Sequence, residues 1–191
     1  MIYESIIKRR TIRKFTPQRV PSEVLNKCVD AARLSPSGMN RQPLKYIIVN
    51  DPPFLLSVFS TLTWARNIPG YKHAPDEVPM AYIVILLDTE IKKQAGNDPG
   101  IAAMSISMVA YEAGLGSCIL GSVDRPRLQE NLKIPNRLQV LLVVALGYPR
   151  EKSKTVELKD DDTKYWFDAG GVLNVPKRKL EEIVIWNTFQ S

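Results

Sequence analysis

The sequence predicts an α+β domain in three layers. Three observations predict it. Four apolar segments have strand length. Segments with apolar residues at helical spacing separate them. The chain has 191 residues, the size of one domain with a core of its own. The expectation is therefore a single domain over residues 1–191.

The elements follow in order. Residues 2–8 form a short amphipathic helix with Ile2, Ile6 and Ile7 facing inward. Pro21-Ser22-Glu23 opens a second helix, with Val24, Leu25, Cys28, Val29 and Ala32 at helical spacing. It ends near Leu34, because Pro36 disfavours helix in the residue before it. Leu44 to Val49 is a buried strand. Asp51-Pro52 starts a helix through Leu55, Val58, Phe59 and Leu62. Residues 64–79 hold Pro69, Gly70, Pro75 and Pro79 and read as an irregular, mobile lid. Ala81 to Leu87 is a strand. Asp98-Pro99 starts a helix, with Asp98 as its cap, and Gly114 stops it. Its small residues, including Ala102, Ala103, Ser107 and Ala110, permit close packing. Ser117 to Leu120 is a short strand ending at Gly121. Asp124-Arg125-Pro126 opens a helix to Leu132. Gln139 to Leu146 is a central strand. Residues 150–164 read as charged loop. From Pro176 onward an apolar tail carries Leu180, Ile183, Val184, Ile185 and Trp186, and suggests docking on a second subunit.

Composition narrows the class. The chain is 45% hydrophobic and 24% charged, ordinary for a globular protein. Cys28 and Cys118 stand far apart with no paired spacing, which argues against a disulfide framework or a zinc site and for a reducing compartment. No apolar run approaches the roughly 20 residues that span a bilayer. Glu4 precedes the basic cluster, the reverse of a secretory leader, so the cytoplasm is the expected location and no membrane contact is expected. The net charge of +6 suggests an anionic partner. A nucleic acid is disfavoured, since only Phe15 lies among the N-terminal cations to stack on a base.

The chemistry-bearing residues gather in two segments. Arg9, Arg10, Arg13 and Lys14 fall within Arg9–Phe15. Ser35-Pro36-Ser37-Gly38-Met39-Asn40-Arg41-Gln42-Pro43 is a run of small and polar residues between a helix and a strand. Guanidinium groups and a hydrogen-bonding loop suit a phosphate-bearing ligand. No GxGxxG follows a first strand, and no phosphate-cradling GxxxxGK[ST] occurs. His73 is the only histidine, so a nucleophile–histidine pair or a transition-metal site finds little support, and a surface loop histidine is the plainer reading. No metal is expected. What remains is chemistry carried by an organic cofactor. A flavin mononucleotide (FMN) needs cations for its phosphate, donors and acceptors for its ring edge, and a close backbone N–H. Arginines at both ends of the chain, Ser37, Asn40 and Gln42, and Leu120-Gly121-Ser122 supply these.

Five segments then carry a resemblance. Arg9-Arg10-Thr11-Ile12-Arg13-Lys14-Phe15 is similar to the R-R-S-x-R-x-F segment of the nitroreductase family. Ser35 to Pro43 resembles that family's P-S-x-x-N-x-Q-P loop. Ala113-Gly114-Leu115-Gly116-Ser117-Cys118 resembles A-x-G-L-G-S-C. Leu146-Gly147-Tyr148-Pro149 resembles L-G-Y-P. Val175 to Val184 resembles V-P-K-R-x-L-E-E-I-V. Each is weak alone; five in order span nearly the whole chain.

The resemblance implies a three-layer α/β/α fold with a central, mostly antiparallel sheet, in an intertwined homodimer. FMN would lie at the subunit interface, and the tail, about residues 176–191, would pack on the partner. It implies that Arg9, Arg10 and Thr11 hold phosphate and ribityl groups, and that Lys177 and Arg178 complete the phosphate site. Arg13 would face the pyrimidine edge and tune the flavin. Pro36, Ser37, Gly38 and Met39 would line the ribityl and ring side, Asn40 and Gln42 would address the ring edge, and Leu120 and Gly121 would present a backbone N–H. The implied activity is FMN-dependent oxidation of NADH or NADPH with transfer of electrons to a small acceptor such as a nitroaromatic, quinone or flavin. A carrier or sensor that binds FMN without turnover has the same sequence features. Residues 64–79 match no part of the family pattern, which leaves the acceptor open.

Overall fold

The computed structural model describes residues 2–189. Its centre is a four-stranded antiparallel sheet in the order β1-β2-β4-β3, formed by β1 (Leu44–Val49), β2 (Ala81–Asp88), β3 (Gly116–Leu120) and β4 (Leu138–Gly147). All eight residues of β2 are buried. Their alternation makes the layers, because successive strand side chains point to opposite faces. Ile83 and Ile85 face a core built with Leu25 and Cys28 of α2 (Ser22–Arg33) and Ala102, Ala103, Ile106 and Ala110 of α4 (Asp98–Glu112). Tyr82, Val84 and Leu86 face the other way. They meet Leu55 and Val58 of α3 (Pro52–Phe59) and Leu128 of α5 (Arg125–Asn131). The three-layer, mostly antiparallel expectation is borne out.

Two close approaches fix the N-terminal arm to this sheet. Residues 11–16 run beside β3 and the end of β4, with Ile12 N donating to Ser117 O at 3.0 Å and Thr16 N to Tyr148 O at 2.8 Å. Ile12 packs on Gly116 and Phe15 on Gly147, each where a Cβ would lie within 3 Å of the arm's side chain. Only glycine leaves that room.

The differences from expectation are local. α1 (Ile2–Lys8) forms, but it buries none of its residues, and Ile2, Ile6 and Ile7 are exposed. Within one chain, the helix touches α4 without covering an apolar face. The charged stretch 150–164 is not all loop, because it contains β5 (Lys152–Glu157). With β6 (Trp166–Phe167) and β7 (Val172–Lys177) it makes a second sheet in the order β5-β7-β6, where β5 and β7 run parallel. β5 is a lysine-bearing edge strand with no buried residue, so it lacks the apolar alternation that signals a strand. Asp98 is not the cap of α4. Asn97 holds that position, and Asp98 is the first helical residue.

The apolar tail carries one helical turn, α6 (Leu180–Ile183). Leu180, Ile183, Val184, Ile185, Trp186 and Phe189 are all exposed. Residues 190 and 191 of the expected tail lie outside the described residues. Among the described residues no helix is long and apolar enough to cross a membrane.

Candidate functional site

The arginine arm is the densest cluster. Arg9 sits half-buried where α1 ends, and its Nε–H is buried with no hydrogen-bond partner among the described residues. Burial, and then the neighbouring Arg10, push its pKa below the usual guanidinium value. Among the described residues, neither Arg9 nor Arg10 meets a carboxylate within ion-pair distance. Arg10 turns back to donate to the carbonyls of Arg9 and Ile7, closing α1. It also lines a 200 Å³ cavity with Lys8, Ile12, Tyr111, Gly114 and Glu151. Thr11 forms a bridge with Ser117.

Arg13 is held by other parts of the chain. Its N–H donates to Glu151 Oε1, which also receives Lys14 N at 3.4 Å. Its carbonyl accepts from His73 Nε2 at 2.7 Å. Its guanidinium lies 4.6 Å from the centre of the Tyr165 ring, in the range of a cation–π contact. Segment 64–79, expected as a lid, lies against this arm. Glu77 O receives Phe15 N at 3.0 Å, and the Glu77 carboxylate pairs with Lys14 at 3.0 Å.

The polar loop sits elsewhere. Gly38, Met39 and Asn40 form a single 3-10 turn, with Met39, Asn40 and Gln42 at φ of 55°, 53° and 51°. Three side-chain-bearing residues in the left-handed region are a local strain that neighbours must hold. Asp98 does so: it accepts from Ser37 Oγ at 2.7 Å and from Gly38 N at 3.2 Å. Ser37 Oγ in turn receives Gln42 N at 3.0 Å, and Gln42 Nε2 reaches Asn40 Oδ1 at 3.1 Å. Met39 is 85% exposed at the tip. Beneath the loop lies a 340 Å³ cavity lined by Pro36, Ser37, Gln42, Lys45, Tyr46 and Asp98 among others.

The third group is the β3 end. Leu120 is buried and Gly121 is exposed. Residue Leu141 of β4 is skipped in the pairing, since Ile85 faces Leu142 and Leu86 faces Val140. Arg125 covers this bulge, donating to the carbonyls of Val140, Leu141 and Gly121 at 3.0, 3.2 and 3.2 Å. A Cβ at Gly121 would meet nothing closer than Leu142 at 3.7 Å, so packing does not require a glycine there.

The last pair stands apart. Lys177 ends β7 opposite Glu157, and Arg178 pairs with Asp161 at 2.6 Å. The cavity that Arg10 lines reaches Ser153 near the other end of that sheet, and includes neither Lys177 nor Arg178. Ser153 pairs with Leu173, and Lys177 lies four residues further along β7, roughly 13 Å at 3.3 Å per residue.

One chain therefore does not assemble the expected site. Asp98, with the Ser37 loop, opens α4, whereas Tyr111 and Gly114, beside Arg10, close it. Fifteen helical residues separate these ends by about 20 Å at 1.5 Å per residue.

A model of the nitroreductase family matches residues 6–78 and 79–148. The chain belongs to the nitroreductase family. A relative in Archaeoglobus fulgidus, provisionally named NADH dehydrogenase/NAD(P)H nitroreductase, is 31% identical over 163 residues, or 81% of this chain and 89% of the relative. A relative of the same name in Methanothermobacter thermautotrophicus is 29% identical over 168 residues, 84% of each. The solved structure of an FMN-dependent nitroreductase from Clostridium difficile R20291 superposes with a TM-score of 0.67 at 26% identity, covering 97% of this chain and 98% of that one. The family and these names support an oxidoreductase.

For a nitroreductase-family chain, sequence reasoning missed the supports. Asp98 looked like a cap, Glu151 like one more charge in a loop, and Arg125 like a helix opener. Most of their partners are backbone groups distant in sequence, and no local pattern reports those. Neither cysteine is poised as a nucleophile. Both are buried, and burial pushes each thiol up to about 11.

Proposed function

We propose that this protein is an FMN-dependent oxidoreductase that takes hydride from NADH or NADPH and passes electrons to a small acceptor such as a nitroaromatic, a quinone or a flavin, in alternating half-reactions. The observation that carries the reading is Arg9, a half-buried guanidinium whose Nε–H has no partner among the described residues, beside a second arginine that meets no carboxylate among them. A buried donor left unpaired is costly, and an anion relieves both the missing bond and the cation–cation repulsion. A phosphate monoester fits that requirement.

Bound FMN would supply the redox chemistry. The chain's residues bind, orient and polarise. Arg9, Arg10 and Thr11 hold the phosphate and ribityl end, with Lys177 and Arg178 as further phosphate cations. Arg13 brings a positive charge to the pyrimidine edge, favouring negative charge there. Pro36, Ser37, Gly38 and Met39 line the cofactor, Asn40 and Gln42 bond its ring edge, and Leu120 and Gly121 bring backbone close to it. No protein nucleophile enters the scheme; positioning and electrostatics do the work.

The separation along α4 supports a homodimer, in which the Ser37–Gln42 loop of one protomer meets the arginines of the other. The exposed apolar residues of α1 and the tail suit that interface. A cytoplasmic location is part of the same reading.

The test is a visible spectrum of the purified protein, followed by anaerobic titration with NADH and NADPH. Flavin bands that bleach with one nucleotide support the enzyme and choose its donor. Bands that do not bleach favour an FMN carrier or sensor. A protein that stays colourless after incubation with FMN and desalting sinks the cofactor assignment.

A further inference from the structure

The arm beside β3 is bonded main chain to main chain on either side of Arg13. Ile12 N donates to Ser117 O, Thr16 N donates to Tyr148 O, and Lys14 O accepts from Arg150 N. At Arg13 the pattern changes, and side chains take both peptide groups. The Arg13 N–H goes to the Glu151 carboxylate, and its carbonyl takes the His73 Nε2–H at 2.7 Å. These partners come from two separate segments, 138 and 60 residues away.

His73 is itself held by its neighbours, whereas Glu151 is fixed by burial and by the arm it bonds, its Oε2 buried with no hydrogen-bond partner among the described residues. Glu151 is buried, at 9% exposure, and a buried carboxylate is retained at a cost unless it is bonded. Its Oε1 collects two consecutive N–H groups, of Arg13 and Lys14. His73 sits edge-on among Phe59, Trp64 and Tyr71, with ring centres 4.8–5.1 Å away, which leaves the imidazole little freedom to swing. From the peptide they grip, the Arg13 guanidinium reaches the Tyr165 ring.

We propose that Glu151 and His73 are positioning residues for Arg13, gripping its peptide from both sides and so fixing where its guanidinium sits. The consequence for the cofactor rests on the FMN reading above. Segment 64–79 is then a strut behind Arg13 rather than a lid.

The test uses the full-length protein with H73A, H73Q, E151Q, R13A and the double variants H73A/R13A and E151Q/R13A. The first readout needs no cofactor: the NMR signal of the Arg13 Nε–H, displaced by the Tyr165 ring. H73A and E151Q move this signal, and H73Q, whose amide can still donate to the Arg13 carbonyl, restores much of it. The second readout is FMN affinity by fluorescence quenching, together with the potential of the bound flavin. H73A and E151Q each weaken FMN binding about tenfold, on the order of one hydrogen bond, and shift the potential. In the R13A background the same substitutions change both by less than about twofold, because they act through Arg13.

The inference is overturned if the variants lower only the unfolding midpoint and leave the Arg13 signal in place. It is also overturned if their effect on FMN persists undiminished without Arg13. Should E151Q fail to fold, H73A and H73Q carry the test alone. A wild-type chain that binds no FMN overturns the cofactor reading instead, and the Arg13 signal then decides the grip by itself.

Discussion

Asp98 Oδ2 accepts a hydrogen bond from Ser37 Oγ at 2.7 Å, and with the Gly38 N–H on its other oxygen this contact ties the polar loop to the first turn of α4. Burial alone would raise the Asp98 pKa. The Ser37 hydroxyl, the Gly38 N–H and the charge of Lys92 outweigh it and hold the carboxyl below its usual range. The carboxylate also sits at the positive end of the helix. D98A should therefore cost about 1–3 kcal/mol in urea unfolding, since Ser37 and Gly38 lose their acceptor. It should also open residues 38–42 to proteolysis, while D98N, which keeps one acceptor oxygen, loses less. A loop equally protected in D98A would show that Asp98 does not hold it.

Three glycines separate packing from function. Ile12 Cβ would stand 2.7 Å from a Cβ on Gly116, and Phe15 Cδ1 would stand 2.9 Å from one on Gly147. G116A and G147A should each destabilise by about 1–3 kcal/mol, because the arm must move away from the sheet. At Gly121 the nearest atom is 3.7 Å away. G121A should keep its stability within about 0.5 kcal/mol of wild type, yet weaken FMN binding if backbone approaches the cofactor there. Chemical denaturation and FMN titration of the three variants, side by side, check this.

The sheet was legible because β2 and β4 are apolar over strand length and the helices between them keep their period. β5 was not, because its side chains are exposed and polar, and its partner β7 lies well downstream. Arg9 was readable as a cation for an anion from its cluster alone. The roles of Asp98 and Glu151 were not, since each is defined by main-chain N–H groups that only the fold brings near. α1 misled for another reason: apolar spacing specifies a face and does not say which surface covers it.

His73 gives the protein a pH signature. Burial holds its pKa below the ordinary value of 6.5, helped by Lys14 and opposed by the Arg13 carbonyl and Glu77. A base with a lowered folded pKa favours the neutral ring in the native state. Its contribution is complete above about pH 6.5 and is lost as pH falls through that value toward the folded pKa. Between pH 7.5 and 5.5, wild-type stability should therefore fall more steeply than that of H73Q, which has no group titrating there at this position. Glu151, whose pKa burial raises against the opposing Arg13 and Lys14 N–H groups, is common to both proteins and drops out of the comparison. Parallel stability curves for the two would contradict a buried neutral imidazole.

The exposed apolar residues make the proposed homodimer testable. Trp186 is 83% exposed and Ile2 79%, and Ile6, Ile7, Leu180, Ile183 and Ile185 join them on α1 and the tail. So much apolar surface on two terminal elements is what a protein–protein interface leaves bare in a single copy. The full chain should sediment as a dimer. W186A should weaken dimerisation by about 2 kcal/mol, the scale of a buried aromatic anchor, which is roughly thirtyfold. Deleting residues 180–191 should weaken it further and reduce FMN binding in step, because the loop and the arginines would then meet less often. Sedimentation velocity over a range of concentrations, with FMN titration of the same samples, distinguishes the cases. A full-length chain that stays monomeric yet binds FMN tightly would show that one protomer suffices, and that the α4 separation is closed within the chain.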